Sequence, residues 1–255
     1  MPRFYLPADQ SKSEPLFLTG REAHHALRVL RLRVGDRVTI HDGAGSQLLC
    51  AIDQYDRDKV KLKLIERRLL APLPFQVTLL QALPKGKLFE SIIEKATELG
   101  IFRIVPLISD RVVAAPLPTP EKAKKAQKWR LISIEAMKQC GSAWLPQIEM
   151  PITPQEFLAR NEKFDLPLIA SLQPDSRHSR EYFTNFRLAH RHQPRSVCVW
   201  IGPEGDFTRE EISAIQAAGA LPISLGPLVL RTETAAIYCL SIINYELQSE
   251  EAFIG

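Results

Sequence analysis

Six consecutive residues, Ser196-Val197-Cys198-Val199-Trp200-Ile201, present no polar face. A strand sends alternate side chains to opposite sides. A run of this kind therefore suits a central strand of a parallel sheet, covered by helices above and below. The chain around it keeps the same rhythm. Phe75 to Leu80, Ile101 to Leu107, Leu166 to Leu172 and Leu221 to Leu225 read as further strands. Between them, Leu88, Phe89, Ile92, Ile93, Ala96 and Leu99 recur at helical spacing, and Gly100 stops that helix. Thr119-Pro120 reads as an N-cap and N1 proline of a basic helix reaching about Cys140. Thr208-x-x-Glu211 is a capping box for a helix ending near Gly219, and Thr232 is expected to cap a last helix reaching about Leu247. Strand-helix alternation predicts an α/β fold with a parallel sheet.

The first seventy residues follow a different pattern. Short alternating segments at 37–41, 48–52 and 60–65 are separated by turn signals at Asp42-Gly43-Ala44-Gly45 and 53–59, after one helical stretch from about Glu22 to Leu30. A small β-barrel is the expected closure. Ala71-Pro72-Leu73-Pro74 reads as a stiff linker, giving a division into 1–70, 71–74 and 75–255. Residues 1–70 carry thirteen basic against nine acidic side chains, while the rest of the chain carries twenty of each. All of the +4 net charge thus lies in the first module, as expected of a polyanion-binding unit ahead of a neutral body; a solvated face would look the same. The four cysteines are far apart, with no C-x-x-C pair and no His at zinc-like spacing. With no apolar run long enough to span a bilayer and no apolar stretch at the start, the expectation is a cytoplasmic protein with reduced thiols, no membrane contact and no metal.

Two strand-turn-helix junctions carry the chemistry. One is Ile201-Gly202-Pro203-Glu204-Gly205-Asp206-Phe207-Thr208, the other Leu225-Gly226-Pro227-Leu228-Val229-Leu230-Arg231-Thr232. Ligands of open α/β sheets bind outside the carboxyl ends of strands, where glycine permits close backbone approach. Neither junction is a phosphate loop, and Glu204 and Asp206 stand where a triphosphate site would want a lysine. Carboxylates there suit a cationic or neutral cofactor such as S-adenosylmethionine (SAM). Each junction by itself could equally be a tight turn between packed elements.

Lys95-Ala96-Thr97-Glu98-Leu99-Gly100, Ile201 to Gly205, and Leu225-Gly226 with Leu230 to Ala235 resemble the RsmE family, bacterial methyltransferases acting on N3 of a uridine in 16S ribosomal RNA. Arg3-Phe4, His24 to Arg31, Gly35-Asp36 and Asp42-Gly43 resemble it too, so the likeness spans nearly the whole chain in order. It implies a PUA-like RNA-binding β-barrel domain followed by an α/β SPOUT domain with a trefoil knot, a homodimer, and 16S RNA in the small ribosomal subunit as partner. The resemblance places SAM against Leu172 at the end of the third strand, Gly202, Glu204 and Gly205 in a second loop, and Leu225, Gly226, Leu230 and Arg231 in a third. Three positions depart from the family pattern: Asp206 where a second glycine is usual, Leu228 where an Arg is frequent, and Gln139-Cys140-Gly141-Ser142 in place of a Gln-Ser-Gly-Arg run.

Uridine N3 bears a proton and becomes a nucleophile as that proton leaves, so the site needs a base or a stabilising cation. Arg231 is the expected cation; it could instead pair with Glu233 or a helix carbonyl. Lys95 and Glu98, three apart on one helix, could be a catalytic pair or an ordinary surface ion pair. Arg3, His24, His25, Arg28, Arg31 and Arg33 are the expected RNA contacts, with Arg28 and Arg31 on one helix face. The His pair could instead serve packing or capping. A ribose 2′-O-methyltransferase of the same superfamily and a non-catalytic RNA-binding assembly factor are the competing functions.

Overall fold

The structure is a computed structural model describing residues 1–12, 14–111, 118–173 and 175–248. The chain packs as two compact units. The first holds Met1–Pro72 together with Ile134–Leu145, and the second Leu73–Ser133 with Pro146–Gly255.

In the first unit, β1 (Arg3–Tyr5), α1 (Ala8–Ser11), β2 (Leu16–Thr19) and α2 (Gly20–His24) precede β3 (Arg37–His41), β4 (Ser46–Tyr55) and β5 (Lys59–Leu69). The strands form one sheet in the order β1-β3-β4-β5-β2, antiparallel except for the β1-β3 pair. Alternation drives the register: Leu48, Cys50 and Ile52 of β4 turn to one side and are buried, with Val38 and Ile40 of β3 and Val60 and Leu62 of β5. Both edge strands add to that same cluster, Phe4 from β1 and Leu16 and Leu18 from β2, so the sheet curls around it. Register shifts at Leu49/Cys50 and Ile52/Gln54 mark β-bulges in the β4-β5 ladder, which bend a strand and increase its twist. The barrel expected from the sequence thus takes the form of a curled five-stranded sheet, with no hydrogen-bonded closure between β1 and β2 among the described residues.

The second unit contains β6 (Gln76–Ala82), α3 (Leu88–Glu98), β7 (Arg103–Leu107), α4 (Thr119–Cys140), β8 (Gln147–Ile148), α5 (Pro154–Leu158), β9 (Leu166–Ala170), β10 (Arg177–His178), α6 (Ser179–His190), β11 (Ser196–Ile201), α7 (Arg209–Ala217), β12 (Leu221–Ser224) and α8 (Thr232–Leu247). From Ile134 onward, α4 belongs to the first unit. The sheet order is β10-β12-β9-β11-β6-β7-β8 and every pair is parallel. The apolar run becomes β11, a central strand. Val197, Val199 and Ile201 face a core shared with Phe89 and Ile92 of α3, Phe183 of α6 and Ala236, Leu240 and Ile243 of α8. Cys198 and Trp200 face the opposite core, with Phe157 of α5 and Ile212 and Ile215 of α7. Both faces are covered, as the missing polar face required.

Three expectations about ends are corrected. Thr119 is the first residue of α4 and not its N-cap, because the Lys122 N–H bonds back to the Pro118 carbonyl. The third strand stops at Ala170 because its ladder with β12 ends at Ala170-Ile223, so Leu172 lies in the following loop. Thr232 does not cap α8: Arg231 occupies the N-cap position, and the Thr232 hydroxyl makes tertiary bonds instead.

Candidate functional site

At the carboxyl ends of β9, β11 and β12, three loops and the first turn of α8 enclose a cavity of about 490 Å3. That is within the range of small-molecule sites. Its walls differ. Ser171, Gln173 and Ser176 give one polar wall after β9; the turn Gly202 to Asp206 gives a second; Leu225, Leu228, Val229 and Leu230 give an apolar third. The acidic side chains Glu204 and Asp206 are part of the lining, and no Lys, Arg or His is, among the described residues.

Gly202 permits the close approach that shapes the second loop. A Cβ there would meet the Asp206 carboxylate at 2.7 Å and the Phe207 nitrogen at 3.1 Å. Gly226 sits at φ +105°, in the region that favours glycine. Behind the loops, the Thr232 hydroxyl donates to the Gly202 carbonyl (2.6 Å) and accepts from the buried Gln81 amide (3.0 Å). One hydroxyl therefore joins the second loop, the start of α8 and β6.

Glu204 does more than line the cavity. Its Oε1 accepts the Lys85 backbone N–H (3.0 Å), clasping the loop after β6 to the loop after β11. Gly205 borders the cavity without lining it, and its carbonyl accepts from the Arg111 guanidinium. The buried Glu211 carboxylate completes the predicted capping box with Thr208 and also accepts the Asp110 N–H at 3.0 Å. Asp206, the departure from glycine, occupies the left-handed region at φ +60° all the same. Its short side chain compensates locally, with Oδ1 accepting the Phe207 N–H at 2.8 Å. Burial pushes the Asp206 carboxyl above its ordinary range; the Phe207 N–H and the Arg111 charge oppose that shift.

The cavity therefore brings together Leu172, Gly202, Glu204, Leu225, Gly226 and Leu230 of the expected cofactor set. Arg231 does not line it. It is exposed at the N-cap of α8, and its guanidinium makes no hydrogen bond or ion pair among the described residues. Among the cavity residues outside that set, Ser171, Gln173 and Ser176 carry no motif and become lining only through the fold. Lys95 and Glu98 form an exposed i, i+3 ion pair at 3.0 Å, with Glu94 also on Lys95.

The expected RNA contacts separate into two groups. Arg28, Arg31 and Arg33 line an open groove of about 470 Å3 in the first unit, where they meet Tyr55 and Arg57. None of these four arginines is in an ion pair among the described residues. Arg28 and Arg31 do not share a helix face: a π-helical turn, His25–Val29, ends the helix, and Arg31 follows at φ +54°. The groove assembles them regardless. Tyr55, the last residue of β4, and Arg57, in the β4–β5 turn, were outside the expected set because a lone Arg in a charged turn has no distinguishing pattern. In the other group, Arg3 donates to the Lys138 and Gln139 carbonyls at the end of α4 (3.2 and 2.7 Å). His25 packs edge-on against Phe4 at 5.8 Å between centroids, and His24 is exposed. Among the described residues no group of His, Cys, Asp and Glu is placed to hold a metal ion, and no helix is long and apolar enough to cross a membrane.

Known proteins share this architecture. A family model described as RNA methyltransferase domain matches residues 71–244, and one described as RNA methyltransferase PUA domain matches 18–65. Ribosomal RNA small subunit methyltransferase E of Bacillus subtilis is 31% identical over 97% of this chain and 98% of its own. A protein of Legionella pneumophila, solved in complex with the bound cofactor SAM, is 33% identical with a TM-score of 0.84, covering 95% of this chain and 96% of its own. Ribosomal RNA small subunit methyltransferase E of Neisseria gonorrhoeae, solved bound to S-adenosyl methionine, is 27% identical with a TM-score of 0.82, covering 96% and 97%.

Proposed function

The chain belongs to the RNA methyltransferase family in which a PUA domain precedes the methyltransferase domain, and on that premise we propose that it transfers a methyl group from SAM to N3 of one uridine in the 16S RNA of the small ribosomal subunit. One observation carries the cofactor assignment: the cavity at the carboxyl ends of the parallel strands is lined by carboxylates and by no cation among the described residues. Such a lining repels a polyphosphate and favours a ligand bearing a sulfonium and an ammonium. The residues fit. The apolar wall of Leu225, Leu228, Val229 and Leu230 suits the adenine face, and the hydroxyls and amide of Ser171, Gln173 and Ser176 suit the amino-acid end.

When bound, SAM supplies a methyl group on a sulfonium, which becomes a neutral thioether as the electron pair of the broken C–S bond stays on sulfur. The protein supplies the rest. The Gly202 and Gly226 turns let the backbone close around the donor, and the Thr232 hydroxyl keeps the two loops in register. Arg231, unpaired beside the cavity among the described residues, stabilises the negative charge that develops on the uracil ring as the N3 proton passes to solvent water. The target base must leave its stack to arrive there. In the first unit, the groove of Arg28, Arg31, Arg33 and Arg57 holds phosphates, and the half-exposed Tyr55 offers a face for a base.

Several finer assignments accompany this reading. The protein is cytoplasmic, where small subunits are assembled. It works as a homodimer, supported by the exposed Tyr238 and Tyr245 of α8 and by exposed Leu228 and Val229. The segment after β12 is threaded as a trefoil knot, consistent with Thr232 reaching the Gly202 carbonyl of the preceding crossover. Domain limits of 1–70 and 75–255 are supported by the change of architecture at the proline linker, with residues 134–145 packing in the first unit.

The test is methyl transfer from labelled SAM to small subunits lacking native modification, with nucleosides resolved by mass spectrometry. N3-methyluridine is the expected product. A 2′-O-methyl nucleoside would move the chain to the ribose-directed reading, and RNA binding without transfer would make it an assembly factor.

A further inference from the structure

The two carboxylates in the cavity are not equivalent. Glu204 is exposed and its Oε1 is engaged by the Lys85 backbone N–H. Asp206 is half-buried and is held in place twice over. Its backbone stands at φ +60°, and its Oδ1 accepts the Phe207 N–H while covering the Cα of Gly202. A glycine would meet the backbone demand without strain, so the chain keeps a carboxylate here at a conformational cost. A desolvated anion on a cavity wall is favoured by a cation close beside it. The other two walls already suit the adenine and the amino-acid end, which leaves the Gly202 to Asp206 turn for the charge between them.

Resting on the reading of this cavity as a SAM site, we propose that Asp206 is a charge-reading residue of that site: its carboxylate, fixed over Gly202, faces the sulfonium of the donor and makes the chain hold the donor more tightly than the neutral thioether left after transfer. The pairing disappears with the reaction itself. Once the electron pair of the C–S bond remains on sulfur, Asp206 faces no cation and the product is released more readily. The family resemblance places a glycine at this position, so the device is an addition to the common loop and not part of it.

Three charged residues lie on this turn or on segments bonded to it, and of these Arg111 acts on the Asp206 carboxyl. Arg111, from the loop after β7, bonds the Gly205 carbonyl and draws the Asp206 carboxyl back toward ionisation. Glu204 lies on the same turn, and Lys85, from the loop after β6, is bonded to Glu204 through its backbone N–H. Burial has the largest effect on the carboxyl and raises it, so donor affinity falls on acidification earlier than an ordinary aspartate would dictate.

Calorimetry of the full chain with SAM and with S-adenosylhomocysteine tests this directly. The native chain binds SAM more tightly than the thioether, Asp206→Asn weakens SAM about tenfold, and the thioether changes less than about twofold. Lowering the pH weakens SAM binding to the native chain, whereas the Asn variant shows a flat profile. Asp206→Gly relieves the backbone and should melt no lower than the native chain while losing the preference for SAM, which keeps the test clear of folding defects. Equal weakening of both ligands would place the carboxylate on the ammonium, present in each, and overturn the proposal. Unchanged affinities would overturn it as well. Failure of the native chain to bind either ligand would overturn the cofactor reading and this inference together, an outcome separable from the other two.

Discussion

Arg231 stands at the N-cap of α8 without making a capping bond, so its side chain contributes little to the stability of that helix. Arg231→Ala should therefore leave the melting temperature nearly unchanged and SAM affinity within about threefold, while methyl transfer falls by about a hundredfold or more, the usual effect of removing one charge-stabilising donor. Single-turnover transfer alongside calorimetry separates the two quantities. His41 is wholly buried at the end of β3. Burial holds its imidazole below the ordinary value, and the Arg3 charge adds to this. The unfolded chain then takes up the proton first. The stability His41 contributes is complete above about pH 6.5 and is lost as the pH falls through the unfolded value toward the folded one. Denaturant unfolding between pH 7.5 and 5.5 should show that loss, and His41→Leu should flatten it. Burial raises the thiols of Cys50 to about 11 and of Cys198 and Cys239 to about 12. Cys140 alone is exposed, so iodoacetamide at neutral pH should alkylate that residue and spare the others in the folded protein.

The elements that positioned the site were mostly readable because each carries its own local signal. The capping box of Thr208 and Glu211 is a fixed spacing that starts α7, and β11 announced its burial by lacking a polar face. The short pieces were not readable: β8 and β10 have two residues each and exist only because a neighbouring strand offers a ladder. Thr232 shows how tertiary demand overrides a local rule. A threonine before an apolar helix reads as a cap, yet its hydroxyl is more valuable between Gly202 and the buried Gln81, where an unmade bond would leave polar groups orphaned. Thr232→Val keeps the shape and removes that junction. It should cost about 1–3 kcal/mol, visible as a lower melting temperature, and weaken SAM binding because the second loop loses its anchor to α8.

For the molecule as a whole, the charge asymmetry of the sequence becomes a groove lined by Arg28, Arg31, Arg33 and Arg57 in the first unit and, among the described residues, a cavity lined by no cation in the second. Arg28 and Arg31 replaced together by Ala should lower the slope of log affinity against log salt by about 1.5 for RNA, the value for two lost phosphate contacts. Filter binding across a salt series measures it, and the same variant should bind SAM normally. The sequence by itself determined the α/β class, the change of architecture near residue 70, the basic first module and the two glycine loops, because periodicity, punctuation and charge are written in short spacings. Only the tertiary structure decided that Ser171, Gln173 and Ser176 join Leu172 and Leu230 in one cavity, that Arg57 and Tyr55 join Arg28, that Arg3 is occupied by the carbonyls of Lys138 and Gln139, and that Asp206 lies over Gly202. Those adjacencies join residues brought together by strand order and loop closure, and no spacing along the chain records where a crossover will bring its two ends.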